Sequence, residues 1–243
     1  MITAQMIAKA AQEGESRSQL QSYDNNTADR YVVFLDIMGF KDRVARTGHD
    51  ELLSLLNKFN NDITNYIRKY KGSLELTQFS DSIVLFSSDD SESSLKTLAE
   101  ITSGIMQTAL MQPVPIPMKG AILRGRVTCD IPKQLFFGQS LIDAYLLEES
   151  VNYYGVLVHH TAERSVINLN CDLFKDVCAP LKCGQVSHYE LSWYLYSEER
   201  AERDKQLDKV RNALKGIRCT VSDAPRKYID NTLRVISDNY IQN

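Results

Sequence analysis

The stretch Val32-Val33-Phe34-Leu35-Asp36-Ile37-Met38-Gly39-Phe40 decides how this chain is read. An apolar run that stops at an aspartate and then meets a glycine predicts a buried strand breaking into a loop at its carboxyl end. A second segment, Leu74 to Ser87, predicts a hairpin with strands Leu74 to Phe79 and Ile83 to Ser87 and with Ser80-Asp81 at the bend. Each segment sets one aspartate at the edge of an apolar strand. If the two strands are neighbours in one sheet, their carboxylates converge, and paired hard oxygen ligands with few other charges nearby suit Mg²⁺ or Mn²⁺ holding a triphosphate.

Working outward, Leu52, Leu55, Leu56, Phe59, Ile63, Tyr66, Ile67 and Tyr70 recur at helical spacing, and Gly72 is placed to end that helix. A second amphipathic helix is expected from Ser91 to Met111. Pro113, Pro115 and Pro117 force an extended connection, after which Met118 to Thr128 reads as a strand. The order strand, helix, strand, strand, helix, strand is that of the ferredoxin-like βαββαβ arrangement, an α+β fold with an antiparallel sheet and two helices on one face. The metal-binding palm of polymerases and nucleotide cyclases uses this core, but so do many unrelated binding modules.

Toward the amino end, residues 2 to 12 suit a short amphipathic helix, and the polar run Gly14 to Arg30 suits a loop. Beyond the core, a short strand over Gln134 to Gly138 leads into a helix from Gln139 to Val151, and Val156 to Val158 reads as a strand. A helix near Ala162 to Ile167, a strand over Val186 to Tyr196, a charged helix from Glu198 to Leu214 and a last helix from Ala224 to Val235 follow. The expected organisation is a lead-in over 1–28, a core over 29–160 and a carboxyl-terminal α/β extension over 161–243 packed on it.

At 243 residues, 43% hydrophobic and a formal charge of −3, the chain has an ordinary globular composition and no broad basic field, which disfavours nucleic acid as a partner. Its five cysteines are odd in number and lack paired zinc spacing, so reduced thiols are expected. His49 and the pair His159-His160 read as helix-entry and strand-end residues. Without a long apolar run, a soluble, cytoplasmic protein with no direct membrane contact is expected. A lone strand-end aspartate is more often a turn former or cap than a ligand; the pairing of Asp36 with Asp81 is what raises the metal reading. Ser80 and Ser82 are read as satisfying turn amides.

At Phe34-Leu35-Asp36-Ile37-Met38-Gly39-Phe40 and Phe79-Ser80-Asp81-Ser82 the chain resembles class III nucleotidyl cyclases, most narrowly the bacterial pyrimidine (uridylate) cyclases of the Pycsar antiphage system. The similarity runs from about Tyr31 to Val158 and includes Gly120 to Val127 and Gly138 to Glu149 in the expected order. The resemblance implies two ions, Mn²⁺ or Mg²⁺, held by Asp36, the Ile37 carbonyl and Asp81, with the backbone of Met38, Gly39 and Phe40 on phosphate oxygens. It implies a homodimer with sites at its interface, UTP as substrate, and 3′,5′-cyclic UMP as a messenger acting on a separate effector protein. Purine cyclases read the base with charged or polar residues where this chain has Thr77 and Leu135, and they carry an Asn and an Arg where it has Ile142 and Leu146. Replacement cations are Lys41, Arg126 and, preferred, Arg124, since Leu123-Arg124-Gly125-Arg126 puts both guanidiniums on one strand face with room at Gly125. The alternatives are a cytidylate cyclase, or a catalytically idle palm-like domain that binds a nucleotide or a partner.

Overall fold

The computed structural model describes residues 26–70, 72–197 and 199–241, so the expected helix over 2–12 lies outside the described residues. Strand β1 (Thr27–Ile37) is the central element, hydrogen-bonded antiparallel to β3 (Ser82–Ser87) on one edge and to the long β4 (Met118–Asp130) on the other. With β2 (Leu74–Phe79) outside β3, the order β2-β3-β1-β4 is that of the expected ferredoxin-like core. The hairpin turn is Ser80-Asp81, as the sequence predicts.

β1 starts earlier than its apolar run does. Thr27 to Arg30, expected as loop, continue the strand because Gly125 to Thr128 of β4 offer them partners. After β1, Gly39 takes a left-handed backbone (φ 72°) and turns the chain into the short helix α1 (Phe40–Arg46). A side chain there would be strained, which is the physical reason for glycine. Helix α2 (His49–Ile67) carries the predicted apolar stripe, and α3 (Glu92–Leu110) begins at Ser91, whose hydroxyl accepts from the Ser94 amide and caps the helix.

Both helices pack on one face. Tyr31, Val33, Leu35 and Ile37 of β1 point into that layer and meet Phe59 and Ile63 of α2 and Leu95, Leu98 and Ile105 of α3. The alternate residues Val32 and Phe34 face the other way, with Val84 and Phe86 of β3 and Val127 of β4. On that outer face lies α4 (Gln139–Ser150), reached through the three-residue strand β5 (Leu135–Phe137); its Ala144 sits against Ala121 and Leu123 of β4.

The sheet does not end at β4. β6 (Val156–Val158) joins it in parallel, followed by helix α5 (His160–Leu169). A hairpin of β7 (Phe174–Leu181) and β8 (Gly184–Leu191) then extends the sheet beyond β6. β7 escapes sequence patterning because it is an edge strand with broken alternation and contains Pro180. The expected strand over Val186 to Tyr196 stops at Leu191 and passes into a 3₁₀ turn at Trp193–Leu195. Helices α6 (Arg203–Arg218) and α7 (Asp223–Ile241) close the chain, and Leu207, Val210, Leu214, Ile229 and Ile236 join the same core as β1.

Glu190 of β8 is fully buried and binds three elements together. Its carboxyl accepts from the hydroxyls of Tyr153 (2.7 Å) and Tyr194 (2.6 Å) and from the Asn239 amide (2.8 Å). Burial pushes it up to about 7, and these hydrogen bonds only partly oppose that shift. A carboxyl raised in the folded state contributes stability that is complete below its unfolded value near 4.5 and is lost as pH rises through about 7. Glu190→Gln should therefore flatten the pH dependence of unfolding between those limits, removing a term on the order of 3 kcal/mol. Denaturant midpoints at pH 5 and pH 8 check this, and an unchanged slope would reject the buried-carboxyl account.

Candidate active site

Asp36 is the last outward-facing residue of β1 before the chain turns. Its register partners are Ser82 on β3 and Lys119 on β4, and the Ile37 amide donates to the Asp81 carbonyl at 2.9 Å. The strand end and the hairpin bend are thus stitched together. The structure brings Asp36 and Asp81 to one edge, as the sequence predicts, with the Ile37 backbone between them.

Two charged residues that the sequence reading passed over border Asp36. Lys119 is almost wholly buried; its ammonium pairs with Glu148 Oε1 at 2.9 Å and donates to the carbonyls of Glu148 (2.8 Å) and Val151 (3.3 Å) at the end of α4. The one sequence signal was a lysine inside an otherwise apolar strand run. Burial pushes the Asp36 carboxyl up to about 7, with Glu148 and Asp81 adding to the rise and Lys119 opposing it. Burial also raises Glu148, against the pull of Lys119. This corner is rich in carboxylate oxygen and short of positive charge, which fits a hard divalent cation. Among the described residues no group of three or more His, Cys, Asp or Glu side chains is arranged to hold a metal, so Asp36 and Asp81 would act as a pair.

Beside this corner a cavity of about 600 Å³ opens on the outer face. Its walls are aromatic: Phe34 packs edge-on to Tyr145 with ring centroids 5.8 Å apart, and Phe86 stacks on Phe136 at 5.6 Å. The residues with polar groups that line it are Thr77, Gln78, Ser82, Gln134 and Tyr145, and among the described residues none that lines it is charged.

The other candidates divide. Thr77 lines the cavity as expected. Leu135 does not: in β5 it pairs with Asp130 whereas Phe136 pairs with Cys129, and this alternation sends Phe136 to the cavity side. Gln134 and Phe136 therefore stand where the sequence reading put Leu135. Arg124 is not brought to the aspartates. It is the register partner of Tyr31, so it lies on the helix side of the sheet, where its Nε donates to Asp90 at 3.1 Å. Met38 and Phe40 are half-buried around exposed Gly39, and Lys41 is exposed on α1. Ile142 and Leu146 are exposed on α4.

No protein-family model and no curated protein matches this sequence. The fold has clear counterparts among solved structures. The catalytic core of a rhodopsin-guanylyl cyclase with converted specificity, in complex with ATPαS, superposes with a TM-score of 0.56 at 12% identity, covering 68% of this chain and 97% of that one. The guanylate cyclase domain of RhGC from Catenaria anguillulae, in complex with GTP, gives 0.55 at 12% identity over the same shares of the two chains. A bacterial light-regulated adenylyl cyclase gives 0.51 at 13% identity, covering 76% of this chain and 98% of that one. The α+β architecture is that of nucleotide cyclase catalytic domains, with a palm-like core.

Lys119→Met should destabilise the protein by about 3–5 kcal/mol, because it leaves Glu148 buried without its cation. Adding Glu148→Gln to that variant should restore much of the loss. Equilibrium unfolding of the two single variants and the double variant measures the coupling; strictly additive effects would show that the pair does not act as a unit.

Proposed function

We propose that this chain is a metal-dependent nucleotidyl cyclase acting on a pyrimidine nucleoside triphosphate, UTP first and CTP next. One observation carries this reading: two strand-end aspartates, joined through the Ile37 amide, border an uncharged aromatic cavity. In the reaction the ribose 3′-oxygen attacks the α-phosphorus, its proton leaves, and the bond to pyrophosphate breaks to give the 3′,5′-cyclic nucleotide. Asp36, the Ile37 carbonyl and Asp81 would hold Mg²⁺ or Mn²⁺, which supplies charge neutralisation on the phosphates and acidifies the 3′-hydroxyl. The amides of Gly39 and Phe40 are assigned to phosphate oxygens, whereas that of Met38, expected from the resemblance to do the same, donates to the Pro117 carbonyl at 2.9 Å; the cavity orients the base and excludes water from it.

Support for a small base comes from the neutral cavity, and support for uracil and for a role in bacterial antiphage defence comes from the resemblance of the two aspartate motifs to Pycsar cyclases. The solved guanylate cyclase domain that shares this fold is in complex with GTP, a purine nucleotide. Exposed apolar residues on α4 and the hairpin tip, among them Phe79, Ile142 and Leu146, support a homodimer closed over the outer face. Ile142 and Leu146, at the positions of the Asn and Arg of purine cyclases, favour a second reading, a catalytically idle nucleotide-binding domain.

Incubating the purified chain with all four NTPs at equal concentration and Mn²⁺, then resolving cyclic products, separates these readings. UTP should exceed ATP and GTP at least about tenfold in kcat/KM, equivalent to about 1.4 kcal/mol. Specific activity should fall on dilution if the dimer is the active unit. A dominant purine product would reject the pyrimidine assignment, and nucleotide binding with no product would leave the idle domain.

Asp36→Asn and Asp81→Asn should each lower turnover by at least about a hundredfold, or ~2.7 kcal/mol, with the melting temperature maintained. Asparagine fills the same volume and removes only the charge. Near-normal turnover at saturating metal in either variant would show that its carboxylate is not a metal ligand.

A further inference from the structure

Gln134 is held in an unusual conformation at the cavity wall. It has a left-handed backbone (φ 51°), which a glycine would adopt at lower cost. The turn that imposes this is stapled: the Asp130 carboxylate accepts from the Lys133 amide at 3.2 Å and from its ammonium at 2.9 Å, and the Gln134 amide donates to the Ile131 carbonyl at 3.1 Å. Gln134 is nevertheless solvent-exposed and lines the cavity. The backbone is fixed while the side-chain amide stays available to a ligand.

The other polar groups of the wall are placed for different work. Ser82 is the register partner of Asp36 and lies at the metal end. Gln78 also lines the cavity, but it is paired with Ile83, whose side chain is in the helix-side core, so the Gln78 side chain leaves the sheet on the face opposite to that of Thr77 and Val84. Thr77 offers a single hydroxyl. Gln134 alone of these residues brings to the cavity face an amide whose donor and acceptor stand side by side, the pattern that matches the hydrogen-bonding edge of a nucleobase. Phe136, two residues on and stacked on Phe86, supplies a flat apolar surface next to it.

We propose that Gln134 is the specificity-determining residue that reads the donor and acceptor edge of the nucleobase in this cavity. The proposal rests on the cyclase reading for the identity of the ligand as a nucleoside triphosphate. Because an amide can turn over, Gln134 accepts either a carbonyl-edged base such as uracil or an amino-edged base such as cytosine. A carboxylate in its place accepts only, and would face the carbonyl of uracil acceptor to acceptor.

Two variants test this. Gln134→Glu should raise the CTP to UTP ratio of kcat/KM at least tenfold over wild type, with ATP gaining on GTP in the same sense. Gln134→Gly takes the left-handed backbone without strain, so its melting temperature should match or exceed wild type while the spread of kcat/KM across the four NTPs narrows. If wild type makes a cyclic product and both variants keep its ranking of bases, Gln134 does not read the base and the cyclase reading survives. If wild type binds nucleotide but makes no product, the cyclase reading falls, and equilibrium binding of UTP and CTP with Mn²⁺ decides the inference instead: Gln134→Glu must shift the order toward CTP. Absence of any nucleotide binding overturns both.

Discussion

Hydrogen bonding of β1 on both edges locks the period-2 alternation of its side chains. Tyr31, Val33, Leu35 and Ile37 are committed to the helix-side core, so Val32, Phe34 and Asp36 are committed to the other face. A slip of one residue would drive Asp36 under α2 and α3, where an unpaired carboxylate is prohibitively costly, and would expose four core side chains. The aspartate is thus placed by the burial of its neighbours. Everything on the outer face inherits that register: Ser82 and Lys119 beside Asp36, and Phe34 in the cavity wall.

The two faces consequently do different chemistry. The helix side holds a continuous apolar core that reaches from β1 to α6 and α7, and its charged residues, such as Arg124 with Asp90, sit at the rim in ion pairs. Over β1 to β4 the outer face is covered, among the described residues, by α4 and β5, which leaves room for a cavity and for carboxylates at its edge, whereas α7 packs through Val235 on the outer face beyond β4. Lys119 ties these parts together, since it stands opposite Asp36 and closes the carbonyl end of α4. Glu148 keeps that ammonium paired but adds negative charge next to Asp36.

Much of this was legible in the residues. The apolar run ending at Asp36, the hairpin around Asp81, the helical stripe from Leu52 to Tyr70 and the amphipathic run from Ser91 each carry a local signal, and each element formed where the signal lay, the first stripe leaving the α-helix at Ile67 for a 3₁₀ turn over Arg68–Tyr70. What was not legible depended on which side of the sheet is covered. Arg124 and Arg126 do share one strand face, but only the pairing of Arg124 with Tyr31 shows it to be the face away from Asp36. Leu135 failed for a related reason: in a three-residue edge strand a placement off by one residue inverts the side, so Phe136 and Gln134 occupy the cavity instead. β7 was missed because an edge strand with mixed exposure carries no clean alternation.

The same face assignment limits how the proposed reaction can be helped. Arg124 and Arg126 lie on the helix side, Lys119 is spent on Glu148 and the end of α4, and Ile142 and Leu146 bring no charge to the outer face. In the proposed reaction, stabilisation of charge on the α-phosphoryl group would then fall to a divalent cation held by Asp36 and Asp81 and to the amides of Gly39 and Phe40. The cavity, with its neutral aromatic walls, would contribute by orientation: a base held at Gln134 and Phe136, as proposed, would set where the ribose lies, and the ribose would set the approach of its 3′-oxygen to phosphorus. In a site so arranged, misreading the base would lower turnover as well as affinity, because the contact that selects the substrate would also be the one that aligns it.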